Sequence, residues 1–131
     1  MTSRIKAINA RRPKIALGKT VQTEELVRYI ADRTNLNKSV VALMAGQLSD
    51  AVIFFNSTGR GVKIDGLGTY LPGVELDGTF TVDHRLDPDI KNGLNALNMF
   101  TGIIDNRENV GKTPDELVAQ WNEGNPLDPV I

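Results

Sequence analysis

The chain has 131 residues, with 40% hydrophobic and 24% charged side chains and a net charge of −1; this is ordinary composition for a globular protein with one main core. Cysteine is absent and His84 is the single histidine, which excludes disulfides, cysteine-ligated zinc and a multi-histidine metal site within one chain. No run approaches the roughly 18 consecutive apolar residues of a membrane-spanning helix, and the first twenty residues are too charged for a signal peptide. We therefore expect a cytoplasmic protein with no membrane partner.

Charge is distributed unevenly along the chain. Residues 1–20 hold six basic residues and no acid, which gives +6, whereas the remainder is −7. A basic arm of this kind can bind the phosphates of nucleic acid. A solubilising tail is the alternative, because apolar residues interrupt the basic ones. The basic residues of the arm are Arg4, Lys6, Arg11, Arg12, Lys14 and Lys19.

The first predicted helix begins at Thr23, where a hydroxyl can accept a hydrogen bond from a free backbone amide of the first turn. It runs to about Thr34, and its apolar stripe includes Val27 and Ile30. The segment 35–37 predicts a tight break before the next helix.

The second predicted helix is capped by Asn37 and is apolar on more than one side, far beyond what a surface helix needs. The first helix is too small to cover it, so we expect a second copy of the chain to do so. Glycines 59 and 61 end the helix near Arg60. The residues expected at the dimer interface are Val41, Met44, Leu48, Val52, Phe54 and Phe55.

Three strands are predicted after this helix. The first includes Val62 and Ile64, and a kink shaped by Gly66 and Gly68 leads into the second, which ends near a turn at Pro72-Gly73. Asp77-Gly78, between two alternating runs, is a strong hairpin signal. The sheet is expected to be three-stranded and antiparallel, with Leu76, Phe80 and Val82 among its inward-facing residues.

The rest of the chain predicts a short helix that starts at Pro88, capped by Asp87. A strand is possible over 99–104, and Thr113 begins a capping box for a helix that carries Leu117, Val118 and Trp121. Residues 124–131 include two prolines and are expected to trail or to lie along a surface.

The order of these elements resembles the HU and integration host factor superfamily of histone-like DNA-binding proteins. The resemblance spans about Val21 to Asn95, and it is closest to divergent members with extensions at both ends, including a tail with a motif like Asn106 to Thr113. It implies an α+β fold of two helices, a three-stranded antiparallel sheet and a short helix in an intertwined homodimer. The matching residues are Glu25-Leu26-Val27, Ile30-Ala31, Thr34 to Ser39, Val62-Lys63-Ile64 and Gly66-Leu67-Gly68-Thr69-Tyr70.

On this basis we expect three regions: a basic N-terminal arm (1–20), an HU-like dimerisation and DNA-binding domain (21–95), and an acidic C-terminal extension with a strand and a short helix (96–131). The family grips DNA with a long two-stranded arm that ends in Arg-Asn-Pro, where the proline wedges between base pairs. That arm is missing here, and Glu75 and Asp77 make the short hairpin acidic. DNA bending is therefore not implied.

Motifs that suggest an enzyme have better structural explanations. Gly111-Lys112-Thr113 resembles the end of a phosphate loop, but Asn106 stands where the required earlier glycine would be, and a helix cap explains the motif. His84 has no serine or cysteine nucleophile around it, and Asp87 and Asp89 suit a helix start. We therefore expect no enzymatic activity and no cofactor.

Two functions remain. The first is largely sequence-nonspecific binding of double-stranded DNA by a homodimer in the nucleoid, with phosphate contacts from the basic arm and from Lys38, Arg60 and Lys63. The alternative is a structural protein that uses the HU-like dimer to build a larger particle or filament without binding DNA. We expect the helix with Trp121 to dock on its own chain; in the assembly alternative, the C-terminal extension would instead join neighbouring dimers.

Overall fold

The computed structural model describes all residues from Met1 to Ile131. It has the predicted α+β class, with two separate antiparallel sheets of two and three strands. In chain order the elements are α1 (Arg4–Arg11), β1 (Lys14–Ile15), α2 (Thr23–Thr34), α3 (Lys38–Ser57), β2 (Val62–Ile64), β3 (Gly68–Val74), β4 (Phe80–Leu86), α4 (Pro88–Leu94), β5 (Ile104–Asp105), a 3-10 helix (Arg107–Asn109) and α5 (Pro114–Gly124).

The chain divides into two compact units. The central unit is Thr20–Phe100, and the terminal unit joins Met1–Lys19 to Thr101–Ile131. The sequence suggested two separate extensions, a basic arm and an acidic tail, but the structure brings both into the terminal unit. Their opposite charges largely cancel there, so that the terminal unit is +2 and the central unit −3.

Two helices begin the central unit as predicted. α2 ends at Asn35, which adopts a left-handed conformation with φ 58°, and the side chain of Asn37 caps α3 by accepting a hydrogen bond from the Ser39 amide at 2.8 Å. Thr23 is not the cap of α2, because Gln22 occupies that position without a side-chain hydrogen bond. The apolar core between the two helices is small and consists of Val27, Ala31 and Val41.

The three-stranded sheet has the order β2-β3-β4 and confirms the predicted hairpin. Asp77 accepts a hydrogen bond from the Thr79 amide at 2.9 Å and closes the turn. Pro72 is not in a turn, because β3 continues through it and pairs it with Val82. A proline is tolerated at a position of the ladder where its missing N–H is not required.

The prediction that Leu76, Phe80 and Val82 face inward is wrong for the single chain, since all three are exposed. Leu76 lies in the hairpin turn, beyond the last pair of the β3–β4 ladder. Phe80 and Val82 lie at the end of the sheet where β2 no longer flanks β3. This end has only two strands, and no helix of the same chain covers it fully.

Asp87 joins the loop after β2 to the start of α4. Its carboxylate accepts hydrogen bonds from the Asp89 amide at 2.9 Å and from the Gly66 amide at 3.1 Å. These two bonds lower the pKa of Asp87 below its ordinary value. The predicted cap of α4, with Pro88 at its first position, is confirmed.

The terminal unit is held together by α1 against α5 and by the short β1–β5 ladder. The strand expected over 99–104 is wrong except at Ile104, where β5 begins. Met99 belongs instead to a turn, in which its amide donates to the Ala96 carbonyl at 3.1 Å and Asn98 has a positive φ of 59°. α5 is capped as predicted by Thr113, whose hydroxyl accepts from the Glu116 amide at 3.2 Å. The residues after α5 fold back, since Trp121 donates its indole N–H to the Asp128 carbonyl at 2.8 Å.

Candidate dimer and nucleic-acid interfaces

One face of α3 is apolar except at Gln47 and is nevertheless exposed along its length. Leu43 is 64% exposed, Met44 57% and Phe54 62%. These positions repeat at spacings of three, four and seven residues, which places them on one side of the helix. We call this face the α3 stripe; it consists of Val40, Leu43, Met44, Ala51, Phe54 and Phe55.

The six residues predicted at the dimer interface do not all lie on the α3 stripe. Met44, Phe54 and Phe55 do, and Leu48 is 51% exposed next to it. Val41 is only 5% exposed, because it packs inside the chain against α2. Val52 is half-buried and lines the groove between α3 and the sheet, so Val41 is the one residue of the six that is packed inside the single chain.

A second apolar surface is the groove between α3 and the sheet, about 360 Å³ in volume. Asn56 lies in its wall and donates its side-chain amide hydrogens to the carbonyls of Arg60 at 3.0 Å and Tyr70 at 3.3 Å. The Asn56 Oδ1 atom is buried and accepts no hydrogen bond. A buried acceptor without a donor is costly. The groove is lined by Val52, Ile53, Asn56, Ser57, Pro72, Phe80, Thr81 and Val82.

The chain exposes more surface than its mass requires. Its accessible surface is 10573 Å². Two monomeric domains of about 5.5 and 8.9 kDa, the sizes of the two units, together expose about 8,200 Å² by the scaling for folded proteins. The excess is therefore roughly 2,400 Å². An obligate homodimer buries about 2,000–5,000 Å² counted over both partners, so the excess is large enough for one.

By length and composition, α3 is also a candidate to cross a membrane, and it is the only helix of the chain that is. The core helix of a soluble protein meets the same criterion, but only 11% of the candidate segment is buried within the chain. Gln47 and Asp50 interrupt its apolar surface near the middle. A carboxylate at the centre of a membrane helix costs about 2.5–3.5 kcal/mol or more.

The predicted DNA-contacting cations are divided between the two units. Lys38 begins α3 and Arg60 follows its end, so about 30 Å of helix separates them. Lys63 lies three residues after Arg60, on β2. The other six belong to the terminal unit: Arg4, Lys6, Arg11, Arg12, Lys14 and Lys19.

Eight of these nine cations have no carboxylate within 4.0 Å. The exception is Arg4, which pairs with Asp115 at 2.5 Å. Arg11 is half-buried, with its guanidinium 5.9 Å from the centre of the Trp121 ring. Arg60 lies over the ring of Phe55 at 5.4 Å. All except Arg11 are exposed, so seven of the nine are both exposed and free of ion pairs.

The sequence reading missed an amide network in the terminal unit. Asn109 is 1% exposed and donates to the carbonyl of Arg11 at 2.5 Å. It also exchanges two hydrogen bonds with Gln120, at 3.0 and 3.1 Å. In the sequence, Asn106 and Asn109 stood out only through the resemblance to histone-like tails. Their contacts with the end of α1 join residues nearly a hundred positions apart, and such contacts leave no periodic signal in the sequence.

No group of three or more His, Asp or Glu side chains is placed to hold a metal ion. His84 lies against Tyr70, with the ring centres 4.6 Å apart. The surfaces left without a partner in the single chain are the apolar α3 stripe, the adjoining apolar groove and the cations that have no carboxylate nearby. No family model matches the chain, and neither does any curated protein.

Proposed function

We propose that the protein is an obligate homodimer of the histone-like type that binds double-stranded DNA through its phosphates, with little dependence on sequence. The observation that carries the proposal is the α3 stripe, which leaves the longest apolar helix of the chain without a cover. The central unit buries only three hydrophobic side chains, Val27, Ala31 and Val41. A domain with so small an apolar core is not stable alone.

A second copy of the chain is the cover that fits these facts best. Two α3 stripes brought together remove apolar side chains from water on both subunits, at about 25 cal/mol per Å² buried. A partner can also supply the donor that Asn56 Oδ1 lacks. Lipid cannot supply one, and it would have to accept Asp50 as well.

The free cations support the proposed DNA binding. A guanidinium or ammonium group that has no carboxylate partner is available to replace the counterions of a phosphate. Such contacts position a protein on the duplex without reading base identity. The hairpin between β3 and β4 is short and carries Glu75 and Asp77 at its turn, so the proposal includes no wedge into the minor groove and no strong bending.

The test is a titration of full-length protein into a labelled duplex of random sequence, followed by fluorescence anisotropy at several salt concentrations. We expect binding at micromolar or lower protein and a fall of about 10³ or more between roughly 50 and 200 mM salt, which corresponds to six or more phosphate contacts. Unrelated duplexes should bind equally well. Absence of binding at micromolar protein in low salt would overturn the DNA-binding proposal.

A second candidate is an assembly subunit that keeps the dimer but does not bind DNA. The observation that favours it is the charge of the central unit, which is −3, because a negative surface repels phosphate. Sedimentation velocity at several protein concentrations separates the two candidates. Particles that grow beyond a dimer without DNA, together with no duplex binding, would favour the assembly function.

A further inference from the structure

We propose that the two ends of the chain form one phosphate-binding patch, the clamp patch, which consists of Arg12, Lys14, Arg107 and Lys112. This proposal rests on the proposed DNA binding and makes its site more specific. It adds Arg107 and Lys112, which the sequence reading did not select. In this proposal, the phosphate contacts are made by a folded surface and not by a free basic arm.

Two asparagine side chains hold the parts of the patch together. Asn106 Nδ2 donates to the carbonyls of Ala10 and Arg12, both at 3.1 Å. Asn109 Nδ2 donates to the carbonyl of Arg11 at 2.5 Å. Three hydrogen bonds thus fix residues 106–109 to the backbone at the end of α1, although nearly a hundred residues separate them in sequence.

The clamp joins the two backbone segments that carry the four cations. Arg107 lies between the two clamping asparagines, and the Lys112 amide donates to the Asn109 carbonyl at 3.1 Å. Arg12 is itself held by Asn106, and Lys14 follows it on β1. All four side chains are exposed, and none has a carboxylate within 4.0 Å.

Acidic residues in the same segments do not cancel this charge. Asp105 lies opposite Lys14 in the β1–β5 ladder, and Glu108 follows Arg107. The segments 10–15 and 105–112 thus hold four cations of the patch and two acids; beyond them, Asp115 is paired with Arg4, which leaves Glu116 as the next free acid. Arg11 is outside the patch, because its guanidinium lies over Trp121.

The fixed backbone explains why phosphate should bind here better than at scattered lysines. Ordering a flexible segment on binding costs free energy, and a segment already held in place avoids that cost. Arginine and lysine contact phosphate oxygens irrespective of base sequence. The expected ligand is thus the backbone of a duplex.

The experiment compares two double variants of the full chain in the salt-dependent anisotropy titration. Arg107→Gln/Lys112→Gln removes two cations of the clamp patch, and Arg33→Gln/Lys91→Gln removes two exposed cations of the central unit. We expect the patch variant to bind about tenfold more weakly near 100 mM salt, with a salt slope lowered by about 0.9 for each lost contact. The control variant should bind within about twofold of the wild type with the same slope.

The Asn106→Gly variant tests the clamp itself. Glycine retains the positive φ of 57° at this position and all charges, but it removes both hydrogen bonds to the end of α1. We expect weaker binding, and the fluorescence of Trp121, the single tryptophan, verifies that the terminal unit remains folded. Binding equal to the wild type in a folded variant would contradict the role of the clamp.

The results distinguish a failure of the clamp patch from a failure of the proposed DNA binding. If the wild type binds the duplex and the patch variant behaves like the control, the clamp patch is wrong and DNA binding stands. If the wild type does not bind, both proposals fail.

Discussion

Gly68 occupies a position in the sheet where a side chain has no room. Its φ is +149°, and an added Cβ would overlap the carbonyl oxygen of Arg85 on the neighbouring strand and lie 2.5 Å from His84 Nε2. The glycine lets β3 turn out of the preceding loop and pair at once with β4. The second glycine of the Gly-hydrophobic-Gly-Thr-aromatic motif is therefore required by its backbone conformation and by the close approach of β4.

Replacing Gly68 with alanine should destabilise the protein by about 3 kcal/mol, because strain and overlap with backbone add. Gly66→Ala is the matched control, since that position also has a positive φ but open space for a Cβ, and it should lose only about 1 kcal/mol. Urea unfolding at one fixed protein concentration measures both. Equal losses for the two variants would contradict the close approach at Gly68.

Local signals were sufficient to predict many elements. Asn37, Asp87 and Thr113 act as helix caps as expected, because a cap needs only a side-chain acceptor and an amide two or three residues away. Asp77 closes the hairpin for the same reason. The sequence therefore predicted the main element boundaries of the central unit and the start of α5 in the terminal unit.

Elements that depend on distant residues were not predictable. The helix α1 and the short ladder of β1 with β5 exist because the two ends of the chain meet, through side chains such as Asn106 and Asn109. Neither β1 nor β5 shows the alternating apolar pattern that predicts a strand. The basic character of the arm was visible in the sequence, but the folded surface that displays it was not.

Asp87 couples two elements and should give the protein a specific sensitivity to acid. Hydrogen bonds from the Asp89 and Gly66 amides favour the carboxylate and lower the pKa of Asp87 in the folded state. A lowered pKa contributes stability above the unfolded value of about 4, and this contribution is lost as the pH falls through the folded value.

The Asp87→Asn variant should therefore be less stable than the wild type at pH 7, and the difference should shrink as the pH falls from about 4 toward 3. Thermal unfolding at a series of pH values measures this. Asp89→Asn is the control, because that carboxylate in the same turn accepts no backbone hydrogen bond. A difference between wild type and Asp87→Asn that stays constant down to pH 3 would show that the two amides do not stabilise the carboxylate. Asp77 and Asp128, whose pKa values are also lowered by hydrogen bonds, are present in every variant and cancel in the comparison.

At the scale of the whole molecule, the balance between core and surface points to a shared interior. The chain buries five hydrophobic side chains in total, two of them in the terminal unit. Folding costs about 1–2 kcal/mol of backbone entropy per residue, which so few buried groups do not offset. The α3 stripe and the adjoining groove remain exposed and apolar. Because the proposed dimer would cover them, stability and association should be one property.

Two leucine substitutions test this directly. Leu43, 64% exposed in the single chain, lies on the α3 stripe, whereas Leu76, at 109%, lies in the hairpin turn. In the proposed dimer, glutamate at position 43 would be a charge buried between two subunits. L43E should therefore sediment as a monomer and lose helix content, as followed by sedimentation velocity and circular dichroism. The same change at Leu76 should leave both unchanged. The melting temperature of the wild type should also rise with protein concentration, because in the proposed dimer folding and association are coupled. An L43E protein that sediments as the wild type does, or a wild type that is a stable monomer, would show that α3 is not covered by a second chain.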